Sequence, residues 1–367
     1  MFVSLNRKSL SFRTVRQKGL AVSAMVVLTL LSCLFASCSS DEDEVTRTSK
    51  YANKTLMLFV SPKGLNTDGY ASIYTEALLD LEQKHGFHVE VYVPNSIEHA
   101  KELLSDLLMY DYPDRETEDI LLMIGENSYK NILLELADSI KTLPDDFMDN
   151  VVLFETTGEE LPCYSFRVEK YGAMYIAGNI ATNFSDSASV MMAYNDSTLL
   201  SAYKGFEEGF DASGFGFNVQ QTFIDSNAAG YNRPIDAERI AQSFYEQGYH
   251  FIMPLAGMSN EGVYAASRNL EECYTAGMDY DVEAKSDELA FNVLVHIDSL
   301  VCEYALAWLH DDLNKIPRFR ALGLESGYIE VVPTPFYWES CGEWIRELMP
   351  VAIKREERYL VPWREVE

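Results

Sequence analysis

From Lys54 onward the chain alternates short apolar runs with longer amphipathic ones, and that alternation limits the fold more than any other feature. Thr55–Ser61 (TLMLFVS) predicts a buried strand, and Tyr74–His85 a helix with Leu78, Leu79 and Leu81 turned inward. His88–Val93, Asp119–Ile124 and Val151–Glu155 read as further strands, separated by helices over Ile97–Met109 and Tyr129–Ile140. The order then repeats, with helices over Tyr171–Thr182, Leu199–Phe210 and Ala237–Gln247. Between them run strands over Ser189–Ala193, Asn218–Ile224 and His250–Pro254. Strands that alternate with helices of this length predict an α/β fold of parallel sheets with helices on both faces. Two blocks of similar size predict two lobes, which a chain of 367 residues can supply. Near the end, Ile329–Val332 is expected to be the last strand and Glu343–Leu348 a closing helix.

The first 37 residues stand apart from this pattern. A basic start (Arg7, Lys8, Arg13, Arg16, Lys18) leads into an apolar run from about Leu20 to Phe35, the form of an export signal. Phe35-Ala36-Ser37-Cys38 resembles the lipobox at which bacterial signal peptidase cuts before a lipid-modified cysteine. Leu30-Leu31-Ser32-Cys33 fits less well, because Leu31 is bulky where a small residue is preferred. The alternative is an uncleaved anchor, since an apolar run near this length could almost span a bilayer. The acidic run Asp41–Glu44 after Cys38 resembles the tag that exports lipoproteins to the outer face of the outer membrane in Bacteroidetes-type bacteria. Its bland reading is a solvated tether over residues 38–53. The expected location is therefore the cell envelope, at the outer membrane, with surface exposure following if the tag is read.

Charge narrows the partners. The chain carries 57 Asp and Glu against 29 Lys and Arg, a net −28; loss of the signal removes five of the bases, leaving about −33. Nucleic acid is excluded as a partner, because phosphate binding needs a basic stripe. Anionic membrane surfaces would repel the chain too, so membrane attachment falls to the lipid. Cys163, Cys273, Cys302 and Cys341 are far apart and form no CxxC pair, so no metal site is expected; their disulfide pairing stays open.

In open α/β sheets ligands bind beyond the carboxyl ends of strands. The loops expected there are Ser61–Tyr70, Gly125-Glu126-Asn127-Ser128-Tyr129, Ala193-Tyr194-Asn195-Asp196 and Pro254–Gly262. Most combine glycine, which lets backbone approach a ligand, with amide, acid or aromatic side chains. Asn127 and Asp196 also read as helix caps.

The segments Phe166–Gly178 (FRVEKYGAMYIAG), Tyr203–Phe210 (YKGFEEGF), Ala241–Gly262 and Ala276–Asp281 (AGMDYD) come in a familiar order. Together they resemble the basic membrane protein family, the PnrA-like nucleoside-binding lipoproteins of ABC transporters, over about Lys54 to Leu309. The resemblance implies a type I periplasmic-binding-protein fold, two doubly wound parallel-sheet lobes joined by a three-crossover hinge. Residues 54–165 plus about 286–322 would form one lobe, and 166–285 plus about 323–367 the other. It implies a small-molecule ligand, a nucleoside first of all, and an ABC permease as partner. Asn66, Asp68 and Tyr70 stand where the family presents an acid and a stacking aromatic. Tyr231, before Asn232-Arg233-Pro234, matches a second aromatic, Asp279 a ribose-binding carboxylate, and Gly257 the glycine of the Ala256-Gly257 pair. The chain also departs from the family: Asp-x-Ser-Phe-Asn is here Thr67-Asp68-Gly69-Tyr70-Ala71, and a lysine before the second crossover is here Val295.

No GxSxG elbow, HExxH helix or P-loop occurs, and no cofactor is expected. A glycosidase built on a carboxylate pair such as Asp279 and Asp281 is the enzyme alternative. A surface sensor or scavenger uncoupled from any transporter is the alternative among binders.

Overall fold

Apolar runs become strands here because both sheet faces are covered. In this computed structural model every side chain of β1 (Thr55–Phe59) and β3 (Ile120–Ile124) is buried, each large one contributing about 1.5–3 kcal/mol. The structure describes residues 49–61, 70–112, 116, 119–125, 127–156, 161–212, 218–284 and 287–364, all within one compact unit, Ser49–Glu367. The signal, Cys38, the acidic run, Asn66 and Asp68 fall outside them.

Between and after those strands come α1 (Tyr70–His85), β2 (His88–Tyr92), α2 (Ile97–Asp106), α3 (Lys130–Ser139), β4 (Val151–Leu153) and β5 (Tyr164–Val168). The second block holds α4 (Tyr171–Ala181), β6 (Ser187–Met192), α5 (Ser197–Asp211), β7 (Asn218–Phe223), α6 (Pro234–Glu246), β8 (Phe251–Leu255), α7 (Asn260–Arg268) and β9 (Tyr274–Asp279). The chain closes with β10 (Leu289–Val295), α8 (Ile297–Leu309), β11 (Phe319–Leu322), β12 (Ile329–Pro333) and α9 (Trp338–Arg364). One sheet has the order β11-β5-β4-β3-β1-β2 and the other β12-β10-β9-β8-β6-β7. The chain therefore passes between sheets three times, after β5, after β10 and after β11. All pairings are parallel except β10 with β12, which is antiparallel.

Three expectations need correction. Leu289–Val295, which a boundary near 286 puts in the first lobe, pairs instead with β9 in the second sheet, with Leu294 opposite Asp279. Tyr164–Val168, not read as a strand, joins the first sheet beside β4 and β11, so the first crossover follows Val168. The closing helix is 27 residues long rather than six, and it packs along α4.

The second lobe owes its compactness to glycine. A Cβ added at Gly205 would lie 2.2 Å from the Tyr171 carbonyl oxygen, and one at Gly178 or Gly209 2.0 Å from those of Phe206 or Tyr175. Backbone cannot yield at such distances, so α4 and α5 approach only because these positions lack side chains. The glycines of the Phe166–Gly178 and Tyr203–Phe210 segments thus serve packing.

Candidate functional site

Eight strand ends and helix starts converge on one cleft of about 300 Å³, near the lower end of small-molecule sites. The first sheet contributes Tyr70 at the start of α1, Gly125 and Asn127 after β3, and Glu155 after β4. Lys170 comes from the crossover after β5. The second sheet contributes Tyr194 and Asp196 after β6, Tyr231 after β7, Gly257 after β8, and Asp279 at the end of β9. Every described residue chosen from the sequence, Tyr70, Asn127, Asp196, Tyr231, Gly257 and Asp279, therefore lines the same cavity.

On the first wall the Tyr70 hydroxyl donates to Glu155 Oε1 at 2.7 Å, and the Val168 N–H donates to Glu155 Oε2 at 3.3 Å. Helix α1 and strand β5 thus fix one carboxylate from two sides. Burial, and then the Glu155 charge, push the Tyr70 phenol well above its ordinary range, so it remains a donor. Glu155 has φ of 54° and Asp279 φ of 70°, both in the left-handed region that side chains other than glycine, asparagine and aspartate rarely enter. Such a residue costs on the order of 1 kcal/mol or more and persists only where its surroundings hold it. Burial raises the Asp279 carboxyl, Lys170 opposes the rise, and Glu155 adds to it.

On the opposite wall Tyr194 and Tyr231 meet edge to face, with centroids 5.7 Å apart at 81°. Tyr231 lies over Gly257, where a Cβ would come within 3.2 Å of its ring and φ is +55°. Asp196 is committed as the cap of α5: its Oδ1 accepts from the N–H groups of Thr198 at 2.9 Å and Leu199 at 3.4 Å. Of the two readings of Asp196, the cap is thus observed.

Glu155, Lys170 and Tyr194 line the cleft beyond the residues expected there, and each belongs to a segment with a sequence signal of its own. Glu155 closed an expected strand, Lys170 sat in the Phe166–Gly178 segment, and Tyr194 in the Ala193–Asp196 loop. His296 lies away from the cleft with Nε2 2.9 Å from Glu330 Oε1. Cys163, Cys273, Cys302 and Cys341 are all unpaired, and among the described residues no cluster of metal ligands occurs.

The family model of PnrA-like ABC transporter substrate-binding proteins, Bmp, matches residues 54–354, most of the chain. The chain belongs to this family. Bmp membership implies a small-molecule ligand, a permease partner and work outside the cytoplasm. Among the described residues no helix is long and apolar enough to cross a membrane. No curated protein matches the sequence.

Solved structures place the Bmp chain in the type I periplasmic-binding-protein fold. A solute-binding protein of an ABC transporter system from Aeropyrum pernix K1 matches with TM-score 0.63 at 14% identity, over 85% of this chain and 89% of that one. A transcriptional activator of the comK gene from Bacillus halodurans matches with TM-score 0.63 at 14% identity, over 82% and 97%. A periplasmic solute-binding protein from Actinobacillus succinogenes 130z, with bound D-allose, matches with TM-score 0.56 at 11% identity, over 78% and 99%. At these identities the likeness concerns the fold alone.

Proposed function

We propose that this protein is a lipid-anchored, extracytoplasmic solute-binding protein that captures a purine nucleoside between its lobes for uptake. The observation that carries the reading is the shared cleft of aromatic rings (Tyr70, Tyr231) and carboxylates (Glu155, Asp279). A nucleoside offers both complements: a flat base, whose stacking on an aromatic ring is worth about 1–3 kcal/mol, and hydroxyl donors for the carboxylates. Phosphorylated ligands are disfavoured, since two carboxylates face one ammonium. Catalysis is not part of the reading, which the family's role in substrate binding supports. Attachment is assigned to a lipid on Cys38, and the sequence motif supports it.

The test is thermal melting of the chain from Ser39 onward, which keeps the unit Ser49–Glu367, with nucleosides, bases and sugars. A ligand that binds only the folded state adds about 2.7 kcal/mol at a hundredfold excess over its dissociation constant. A shift with purine nucleosides supports the reading; a shift with free sugars alone replaces it. The acidic run Asp41–Glu44 favours a second reading, a surface scavenger uncoupled from a permease. Proteinase treatment of whole cells separates the two, because only a surface protein is degraded.

A further inference from the structure

The first and third crossovers leave neighbouring strands, β5 and β11, and stay in contact, since the Glu169 N–H donates to the Leu322 carbonyl at 2.9 Å. Movement of one lobe against the other has to bend them. Just past that contact the buried Glu356 of α9 stands between them, its Oε1 accepting the Gly172 N–H and its Oε2 the Leu324 N–H, each at 2.9 Å. Glycine makes the room: a Cβ at Gly172 would lie 2.9 Å from Oε1. Acids surround this carboxyl, with Glu169 on the first crossover, Glu325 on the third and Glu357 beside it on α9. The neighbouring bases are committed elsewhere, Arg167 to Glu169 and Arg355 to Glu208, while Lys170 lines the ligand cleft. Among the described residues no cation pairs with Glu356. Separate from the ligand cleft, a cavity of about 320 Å³ adjoins it, lined also by Gly323, Glu325, Ser326, Ile353 and Glu357.

We infer that Glu356 is a pH-operated hinge pin: as the acid it stays between the first and third crossovers, and as the carboxylate it turns into the adjoining cavity and frees them. The lobes then move more readily in alkaline than in acid surroundings. A protonated carboxyl keeps lone pairs on both oxygens, so it can still accept the Gly172 and Leu324 N–H groups. An ionised one carries a desolvated charge among three acids, and a cavity of this size has room for the water that would solvate it. Burial, with Glu169 and then Glu357 adding to it, pushes the pinned carboxyl up to about 7 against an ordinary 4.5. The pinned arrangement therefore holds the proton that the solvated one gives up. Its advantage is complete below the lower value, shrinks as pH rises between the two, and levels off above the higher. Work outside the cytoplasm exposes this hinge to the pH of the surroundings.

Amide hydrogen exchange of the full chain without ligand tests this, because it reads local opening residue by residue. Each rate is divided by that of the same amide in an unstructured peptide at the same pH, and the amides of Gly172 and Leu324 are compared with those of β3 in the lobe interior. Between about pH 5 and about pH 8 the two crossover amides of wild type are expected to lose about tenfold more protection than β3, the scale of one hydrogen bond to a charged group. Glu356→Gln, which has no proton to lose, should show no such step. Glu357→Gln keeps the pin and removes one repelling charge at an exposed position, so its step should move to lower pH. Crossover amides that follow β3 at every pH overturn the inference, because they report global unfolding and no release at the hinge. A step that persists in Glu356→Gln overturns it as well. If that variant does not fold, Glu357→Gln decides, and a step that stays in place or moves to higher pH refutes the pin.

Discussion

Glu356 accepts the backbone N–H of Leu324 at 2.9 Å through Oε2 and that of Gly172 at 2.9 Å through Oε1. One buried carboxylate on the C-terminal helix thus ties the start of α4, just past the first crossover, to the third crossover between β11 and β12. A Cβ at Gly323 would lie 2.0 Å from Oε2, so that glycine is part of the clamp. Burial raises the Glu356 carboxyl to about 7, with Glu169 and Glu357 adding to the rise and the two N–H groups opposing it.

Stability should therefore depend on pH through Glu356. The unfolded carboxyl titrates near its ordinary 4.5 and the folded one near 7. Below the lower value both states are protonated; between the two the folded state holds the extra proton, so stability falls as pH rises and levels off above 7. The full fall is about 3 kcal/mol. Urea unfolding from pH 4.5 to 8 should show this slope in wild type and lose it in Glu356→Gln; parallel pH curves would refute the assignment.

Two glycine substitutions should act in opposite directions. Gly205→Ala drives a Cβ into the Tyr171 carbonyl and separates α4 from α5, at a cost of about 1–3 kcal/mol. Gly342→Ala, in α9, meets only the Pro333 side chain at 3.9 Å and should gain about 0.5–1 kcal/mol from reduced chain entropy. Melting temperatures of the two variants decide; equal shifts in one direction would contradict the packing described.

Tyr70 has two separable parts. Tyr70→Phe keeps the ring and removes the donor to Glu155 Oε1, so a modest loss of nucleoside affinity, about threefold to tenfold, is expected. Tyr70→Ala removes the stacking face as well and should cost a further tenfold or more. Titration of both variants checks the order, and a Phe variant weaker than the Ala variant would sink it.

Asp279→Asn should divide stability from binding. Asparagine tolerates φ of 70° as aspartate does, and it relieves a buried charge close to Glu155. Ligand-free melting is expected to hold or rise while the melting shift with nucleoside disappears. A retained shift would remove Asp279 from the ligand contacts.

The sequence by itself determined the α/β alternation, because β1, β3 and α1 carry their burial in local periodicity. It also delivered Tyr70, Tyr231, Gly257 and Asp279 to one cleft, since a parallel sheet sends successive loops to the same edge. Tertiary structure alone decided the rest. Tyr164–Val168 hides its strand behind Ser165 and Arg167, and only pairing with β4 and β11 reveals it. Leu289–Val295 could have joined either sheet, and the strand it pairs with sets the lobe. Pro350 argues locally against a long helix, as it lacks an N–H, yet α9 continues through it while packing on α4. The partners of Glu356 and the place of Lys170 lie in three-dimensional neighbourhoods: Glu356 meets residues 184 and 32 positions away, and Lys170 faces Asp279, distances along the chain that no local pattern spans.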